Sequence, residues 1–159
     1  MLARAVATLG GVGYLRPAPG TWGSAAALPL AWIVLLAGPV AFTAACVAVA
    51  AIGWWAIATA TRGRADHDPS EIVVDELAGQ WIALLPVAWG AAIAGVPVSA
   101  LWPGWLAAFV LFRLFDVWKP GPVGWADRRA DPLGVMLDDV IAGAIAALGV
   151  ILLAALAHV

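Results

Sequence analysis

What most constrains this chain is where its charges stand. All 18 Asp, Glu, Lys and Arg residues fall at Arg4, at Arg16, in residues 62–76 and in residues 113–139. Three stretches carry none: residues 17–61, 77–112 and 140–159, which are 45, 36 and 20 residues long. A helix needs about 20 apolar residues to cross a bilayer. The first stretch therefore holds two crossings, the second two shorter ones, and the third one. Gly38-Pro39 divides the first stretch and Gly95-Val96-Pro97 the second, as chain-breaking residues should. Helices are expected near 23–37, 41–61, 70–95, 99–117 and 138–157. The first and fourth are short, so one of them is expected to tilt, to kink at Pro29 or to cross only in part.

Composition agrees. Hydrophobic residues make up 64% of the chain and charged residues 11%, where a soluble domain has about 25% charged. Charges are too few to cover a water-facing surface, and the chain is too hydrophobic for disorder. A net charge of -2 gives no reason to expect a nucleic-acid partner. The lone Cys46 lies in an Ala/Val run and reads as a packing residue. The fold expected is an all-α integral membrane protein, a bundle of about four to five transmembrane helices with an N-terminal interfacial or re-entrant segment. Residues 5–12 are apolar after Arg4, as in a signal peptide, but the run is short and leads into Arg16-Pro17 without a clean cleavage site. Gly10-Gly11-Val12-Gly13 lacks the βαβ surroundings of a dinucleotide site.

Five crossings bring every charged segment to one membrane face. All eight Lys and Arg residues lie there, so the positive-inside rule predicts a cytoplasmic face. A simple anchor has no need to gather ten carboxylates at that face; a site does. Within Asp66-His67-Asp68-Pro69-Ser70-Glu71, Asp68 and Glu71 read either as helix caps or as ligands. Capping does not explain Asp75 and Glu76, where the apolar run begins and an ionised carboxylate needs a partner or a cation. On a continuous helix Asp68, Glu71 and Asp75 share one face, and hard oxygen ligands suit Mg²⁺. Arg113 and Asp116 form either an ion pair or part of an anion site, and Lys119 either snorkels or binds an anion. Asp138 and Asp139 are expected just before the last helix, where its N-terminus favours one acid but not two adjacent ones. Asp-x-x-Ala-Gly occurs at residues 75–79 and again at 139–143. Those glycines would let two helices cross closely and bring Asp75 and Asp139 together. Pro19-Gly20-Thr21-Trp22-Gly23-Ser24 opens a helix whose free amides, with Thr21 and Ser24, suit an anion.

Acids and a few cations at a membrane face fit a phosphorylated lipid handled with a metal, which would neutralise phosphate oxygens and activate water. Other phosphatase chemistries lack their parts. Cys46 has no Cys-x₅-Arg signature, only His67 and His158 are available as histidines, and Asp66-His67-Asp68 has no preceding strand. Taken together, Pro19–Ser24, His67-Asp68 with residues 72–79, Phe112–Pro120, and Gly134–Asp139 with Ala142-Gly143 resemble the phosphatidylglycerophosphatase A family in motif and in order, over residues 17–143.

The resemblance implies a single membrane-embedded phosphatase domain over residues 1–159 in the bacterial inner membrane. It also implies Mg²⁺-dependent hydrolysis of phosphatidylglycerophosphate to phosphatidylglycerol. Asp75, Glu76, Asp138 and Asp139 would form the metal core, completed or supported by Asp68, Glu71 and Asp116. Thr21, Ser24, Arg113 and Lys119 would bind the phosphate, and Asp75, Glu76, Asp139 and Arg113 would be catalytic. Water or an Asp is the nucleophile. A transporter would hold its acids at midplane on broken helices, and a non-catalytic lipid- or ion-binding subunit would not need paired acids entering helices.

Overall fold

The computed structural model describes residues 1–157, and every regular element within them is helical. His158 lies outside the described residues. The order is α1 (Leu2–Ala7), a 3₁₀ segment (Leu9–Tyr14), α2 (Pro19–Leu35), α3 (Pro39–Ala60), α4 (Val74–Ala83), α5 (Leu85–Ala94), a 3₁₀ turn (Val98–Leu101), α6 (Trp102–Trp118), α7 (Pro122–Asp127) and α8 (Pro132–Ala157). Proline occupies one of the first two positions of α2, α3, α5, α6 and α7, where its missing N–H costs nothing.

Four segments are long and apolar enough to span a membrane: Pro39–Ala60, Val74–Ala94, Val98–Trp118 and Pro132–Ala157. The short fourth helix expected from the sequence reaches spanning length by adding the 3₁₀ turn. The 17 residues of α2 measure about 25 Å against a hydrocarbon core of about 30 Å. Even so, α2 traverses the bundle. Its first residues line the same pocket as acids from α4, α6 and α8, and its other end turns through Gly38 into α3.

Two helix starts differ from expectation, each for a local reason. The helix expected from residue 70 begins at Val74, and it breaks at Leu84 into α4 and α5. Ahead of it, the Ile72 N–H turns back to the Pro69 carbonyl at 2.8 Å, and the Val73 N–H donates to Ala7 O at 2.9 Å. Those amides serve a turn and the N-terminal segment, so Asp68 and Glu71 do not cap a helix. The last helix begins at Pro132, not 138. Asp131 Oδ1 accepts the Gly134 N–H at 2.7 Å with Pro132 as the first helical residue, an Asp-Pro start that the sequence already carried. Asp138 and Asp139 therefore lie about two turns inside α8, beyond the help of its N-terminal dipole.

The core gathers Phe42, Cys46, Leu77, Trp81, Leu84 and Phe112 with small residues of α2, α6 and α8. Trp81 Nε1 donates to Ala27 O at 2.9 Å, tying α4 to α2. Packing is most extensive between α4 and α8. A Cβ on Gly143 would lie 2.3 Å from Gly79 O and 3.0 Å from Gly79 Cα, so the two helices cross backbone to backbone at the glycines the sequence singled out. At the charged end, α1 packs on α3 with Ala3 and Ala7 buried. There a Cβ on Gly13 would lie 1.9 Å from Glu71 O, so the N-terminal segment docks directly beneath residues 71–73.

Candidate active site

Helix ends that are far apart in sequence meet at the charged end around a cavity of about 240 Å³. Its walls carry six carboxylates, those of Asp68, Asp75, Glu76, Asp116, Asp138 and Asp139. The cations there are Arg113 and Lys119, and Pro19-Gly20-Thr21 at the start of α2 close one side. Asp75 is 6% and Asp139 4% exposed. Two cations against six acids leave a large excess of negative charge in a poorly solvated place, which a bound cation would offset.

The best ligand geometry falls on three of them. Glu76 (α4), Asp116 (α6) and Asp139 (α8) each offer an oxygen, and these atoms all lie within 4.8 Å of one another. Oxygens around one Mg²⁺ at about 2.1 Å stand up to about 4.2 Å apart, so only a small contraction is required. Asp139 Oδ1 is buried and has no hydrogen-bond partner within the protein, as an oxygen reserved for a cation would be. Residues and geometry fit a hard divalent ion. The α4–α8 crossing thus brings Asp139 beside Glu76. Asp75 lines the cavity beside them.

Arg113 is the counter-ion of this triad. Its Nη1 pairs with Glu76 Oε2 and lies 2.6 Å from Asp116 Oδ2 one turn away. The ion-pair reading is built in: the guanidinium balances two acids, and it also lines the cavity. Ser24 takes a different place from the one expected. It is fully buried, its hydroxyl is 3.0 Å from both Glu76 Oε2 and Gly20 O, and it is absent from the cavity wall. It orients Glu76 from behind the cavity wall. Thr21 does line the cavity. Gly20 was not singled out for packing, yet a Cβ there would lie 2.0 Å from Glu76 Oε1.

Lys119 Nζ sits 2.5 Å from Asp127 Oδ1 and 2.6 Å from Asp138 Oδ2. Burial alone would lower its pKa, but the hydrogen bonds it donates to Asp127 and Asp138 outweigh that and hold it above the ordinary lysine value. It is a fixed positive charge. Asp127, at the end of α7, is thus joined to the site through Lys119. Asp68 has its carboxyl pushed above the usual range by burial, with Lys119 opposing.

Glu71 does not join the others. Its carboxylate lies 3.4 Å from Arg64 and 3.8 Å from Arg4, against a separate small cavity lined also by Thr8 and Ala60. Its own backbone N–H, with Arg64 and Arg4, holds its carboxyl below the usual range. The shared helical face with Asp68 and Asp75 vanishes because residues 68–73 are not helical. Glu71 is a clasp between the N-terminal segment and the loop before α4. Sequence reasoning also missed Gln80, fully buried one turn from Glu76 with neither amide atom bonded within the protein.

Comparison with known proteins bears on the family resemblance. The family model for phosphatidylglycerophosphatase A matches residues 5–154. Phosphatidylglycerophosphatase A of Escherichia coli (strain K12) is 33% identical over 138 residues, covering 86% of this chain and 74% of that one. Its namesake in Haemophilus influenzae is 39% identical over 137 residues, covering 83% and 76%. A Bacteroides thetaiotaomicron protein with the provisional name phosphatidylinositol-3-phosphatase is 38% identical over 141 residues, covering 84% and 81%. No solved structure matches the chain significantly. With that similarity spanning nearly the whole bundle, and the quoted motifs converging on one acidic pocket, the chain belongs to the phosphatidylglycerophosphatase A family, membrane-embedded phosphoric monoester hydrolases.

Proposed function

We propose that this protein removes the terminal phosphate of phosphatidylglycerophosphate, giving phosphatidylglycerol and phosphate, at the cytoplasmic face of the bacterial inner membrane with Mg²⁺ as cofactor. The observation that carries the reading is the triad Glu76, Asp116 and Asp139, with ligand oxygens within 4.8 Å of one another and one buried oxygen unpartnered. The sidedness rests on all eight Lys and Arg residues lying at this end of the bundle. Those three residues would hold the ion, which when bound supplies positive charge to phosphate oxygens and Lewis acidity for the displacement.

The chain's own groups do the rest. Free amides at the start of α2 and the Thr21 hydroxyl receive phosphate oxygens, and the Arg113 guanidinium meets the charge that grows on the phosphoryl group. Lys119, kept charged by Asp127 and Asp138, adds positive potential but does not act as the proton donor. Water adds to phosphorus, the bond from phosphorus to the glycerol oxygen breaks, and that oxygen takes a proton. The carboxylates of the wall accept the proton of the water and return one to the leaving oxygen.

Purified protein in detergent, assayed for phosphate release from phosphatidylglycerophosphate with and without Mg²⁺ beside Asp139→Asn, tests this. Metal-dependent release that the variant loses is expected. Release that persists in the variant overturns the ligand set, and faster release from phosphatidylinositol 3-phosphate overturns the substrate.

A further inference from the structure

On the outer face of the bundle, α2 and α6 enclose a groove of about 630 Å³ lined by Leu28, Pro29, Trp32, Ile33, Trp102 and Trp105, with Ser99 at its end. Apolar surface is ordinary on a membrane helix; the register of this groove with the acidic pocket is not. Thr21, Leu28 and Trp32 are spaced i, i+7, i+11 and lie on one stripe of α2. On α6, Trp102 and Arg113 are 11 residues apart, as are Trp105 and Asp116, so each groove residue stands about three turns directly below a pocket residue. Both helices thus carry the same stripe from pocket to groove. The two ends are bridged: the Trp32 and Trp105 rings lie 5.8 Å apart, and a Cβ on Gly20 would lie 3.3 Å from Arg113 Nη1. Eleven residues of helix are about 16 Å long, close to the roughly 15 Å depth of one leaflet.

We propose that this groove holds one acyl chain of the phospholipid whose phosphorylated headgroup occupies the acidic pocket, a reading that rests on the pocket being a lipid phosphatase site. Between pocket and groove, Ala25 and Leu28 continue the stripe on α2, and Leu106 and Phe109 continue it on α6 between Trp102 and Arg113. The seam measures the lipid: the headgroup sits among charges at one end, and the methyl end of the chain reaches the tryptophans at the other. Chain length becomes a determinant of binding. A second copy of this protein seated on the same face is the competing occupant.

Ser99 is exposed and stands outside the catalytic machinery, so Ser99→Trp fills the groove without touching the pocket. The variant is expected to lower kcat/KM for the dipalmitoyl substrate about tenfold, the loss of about two buried methylene groups, and to leave the dihexanoyl substrate unchanged. Equal loss on both substrates, or loss on neither, overturns the proposal. Wild-type protein that hydrolyses neither lipid refutes the phosphatase reading instead, and a second measurement then decides the groove. Phosphatidylglycerophosphate with a diazirine at the end of one acyl chain is expected to label residues 28–33 and 102–105 of the wild type in preference to Leu148 and Ile151 on the outer face of α8. Uniform labelling, or cross-links between two copies through Trp32, overturns it.

Discussion

Gly143→Ala tests how the fold builds the site. The added Cβ would lie 2.3 Å from Gly79 O, where ordinary contact begins at 3.4 Å, so α4 and α8 must part by about 1.1 Å. No flexible side chain can yield, because the obstacle is backbone: Gly79 C and Cα lie 2.9 and 3.0 Å from the same point. Glu76 lies one turn from Gly79 on one helix, and Asp139 one turn from Gly143 on the other. Because helices move as rigid rods over such a distance, the shift passes to the carboxylates. Overpacking of this kind costs about 1–3 kcal/mol, and a misplacement of about 1 Å costs roughly 100-fold in rate. The assay is Mg²⁺-dependent phosphate release by protein shown to be helical and monodisperse in detergent, with melting followed in parallel. Gly90→Ala is the control, since its nearest neighbour would be Leu101 Cδ1 at an ordinary 3.6 Å. Gly143→Ala that is folded and within a factor of about 3 of wild-type kcat/KM would falsify the claim that this crossing sets the spacing of the acids.

Three further outcomes are expected. Mg²⁺ at ten times its Kd should stabilise the wild type by about 1.4 kcal/mol, a rise of about 3–6 °C in melting temperature for a chain of this size; Asp139→Asn should show no rise, and a wild type that Mg²⁺ does not shift would remove the cation from the site. Ser24→Ala frees Glu76 and should lower kcat about 10-fold to 100-fold, as loss of a ligand's orienting partner does, and unchanged kcat would leave Ser24 with packing alone. Glu71→Gln should keep phosphatase activity and weaken the clasp to Arg4 and Arg64 by less than about 1 kcal/mol at pH 7. Because the folded pKa of Glu71 lies below its ordinary value of 4.5, its contribution is complete above that pH and is lost as pH falls through the folded value. The melting difference between wild type and variant should therefore close below about pH 4.5, and a constant difference across the titration would exclude an ionic clasp.

Much of the architecture was legible in the chain because the membrane acts on it locally. A run without charge must be helical and long enough to cross, so the bounds of α3 and α6 were expected to within a few residues. Gly79 and Gly143 were readable as a crossing because only close backbone approach explains small residues spaced alike after an acid. The helix starts at Val74 and Pro132 were misjudged for different reasons. At Val74, the deciding partner was Ala7, some 66 residues away, whose carbonyl takes the Val73 N–H. At Pro132 the signal was local, the Asp131-Pro132 pair itself.

The candidate acids illustrate the same division. Residue type and one-sided charge sorting marked the Asp and Glu residues of these motifs as a site without any coordinates, since burying unpaired carboxylates beside a membrane is too costly to be incidental. Which of them converge was decided only in three dimensions. Glu71, three residues from Asp68, turns to Arg4 and Arg64, while Glu76 meets Asp116 and Asp139 across 40 and 63 positions. Ser24 bonds Glu76 and does not line the cavity, and Asp127 joins the site through Lys119. The sequence by itself determined the spanning segments and the gathering of charge at one end of them, because composition and hydrophobic length act residue by residue. The tertiary structure alone decided which acids converge, because one long-range backbone hydrogen bond, that from the Val73 N–H to Ala7 O, turns neighbouring side chains toward the pocket or away from it.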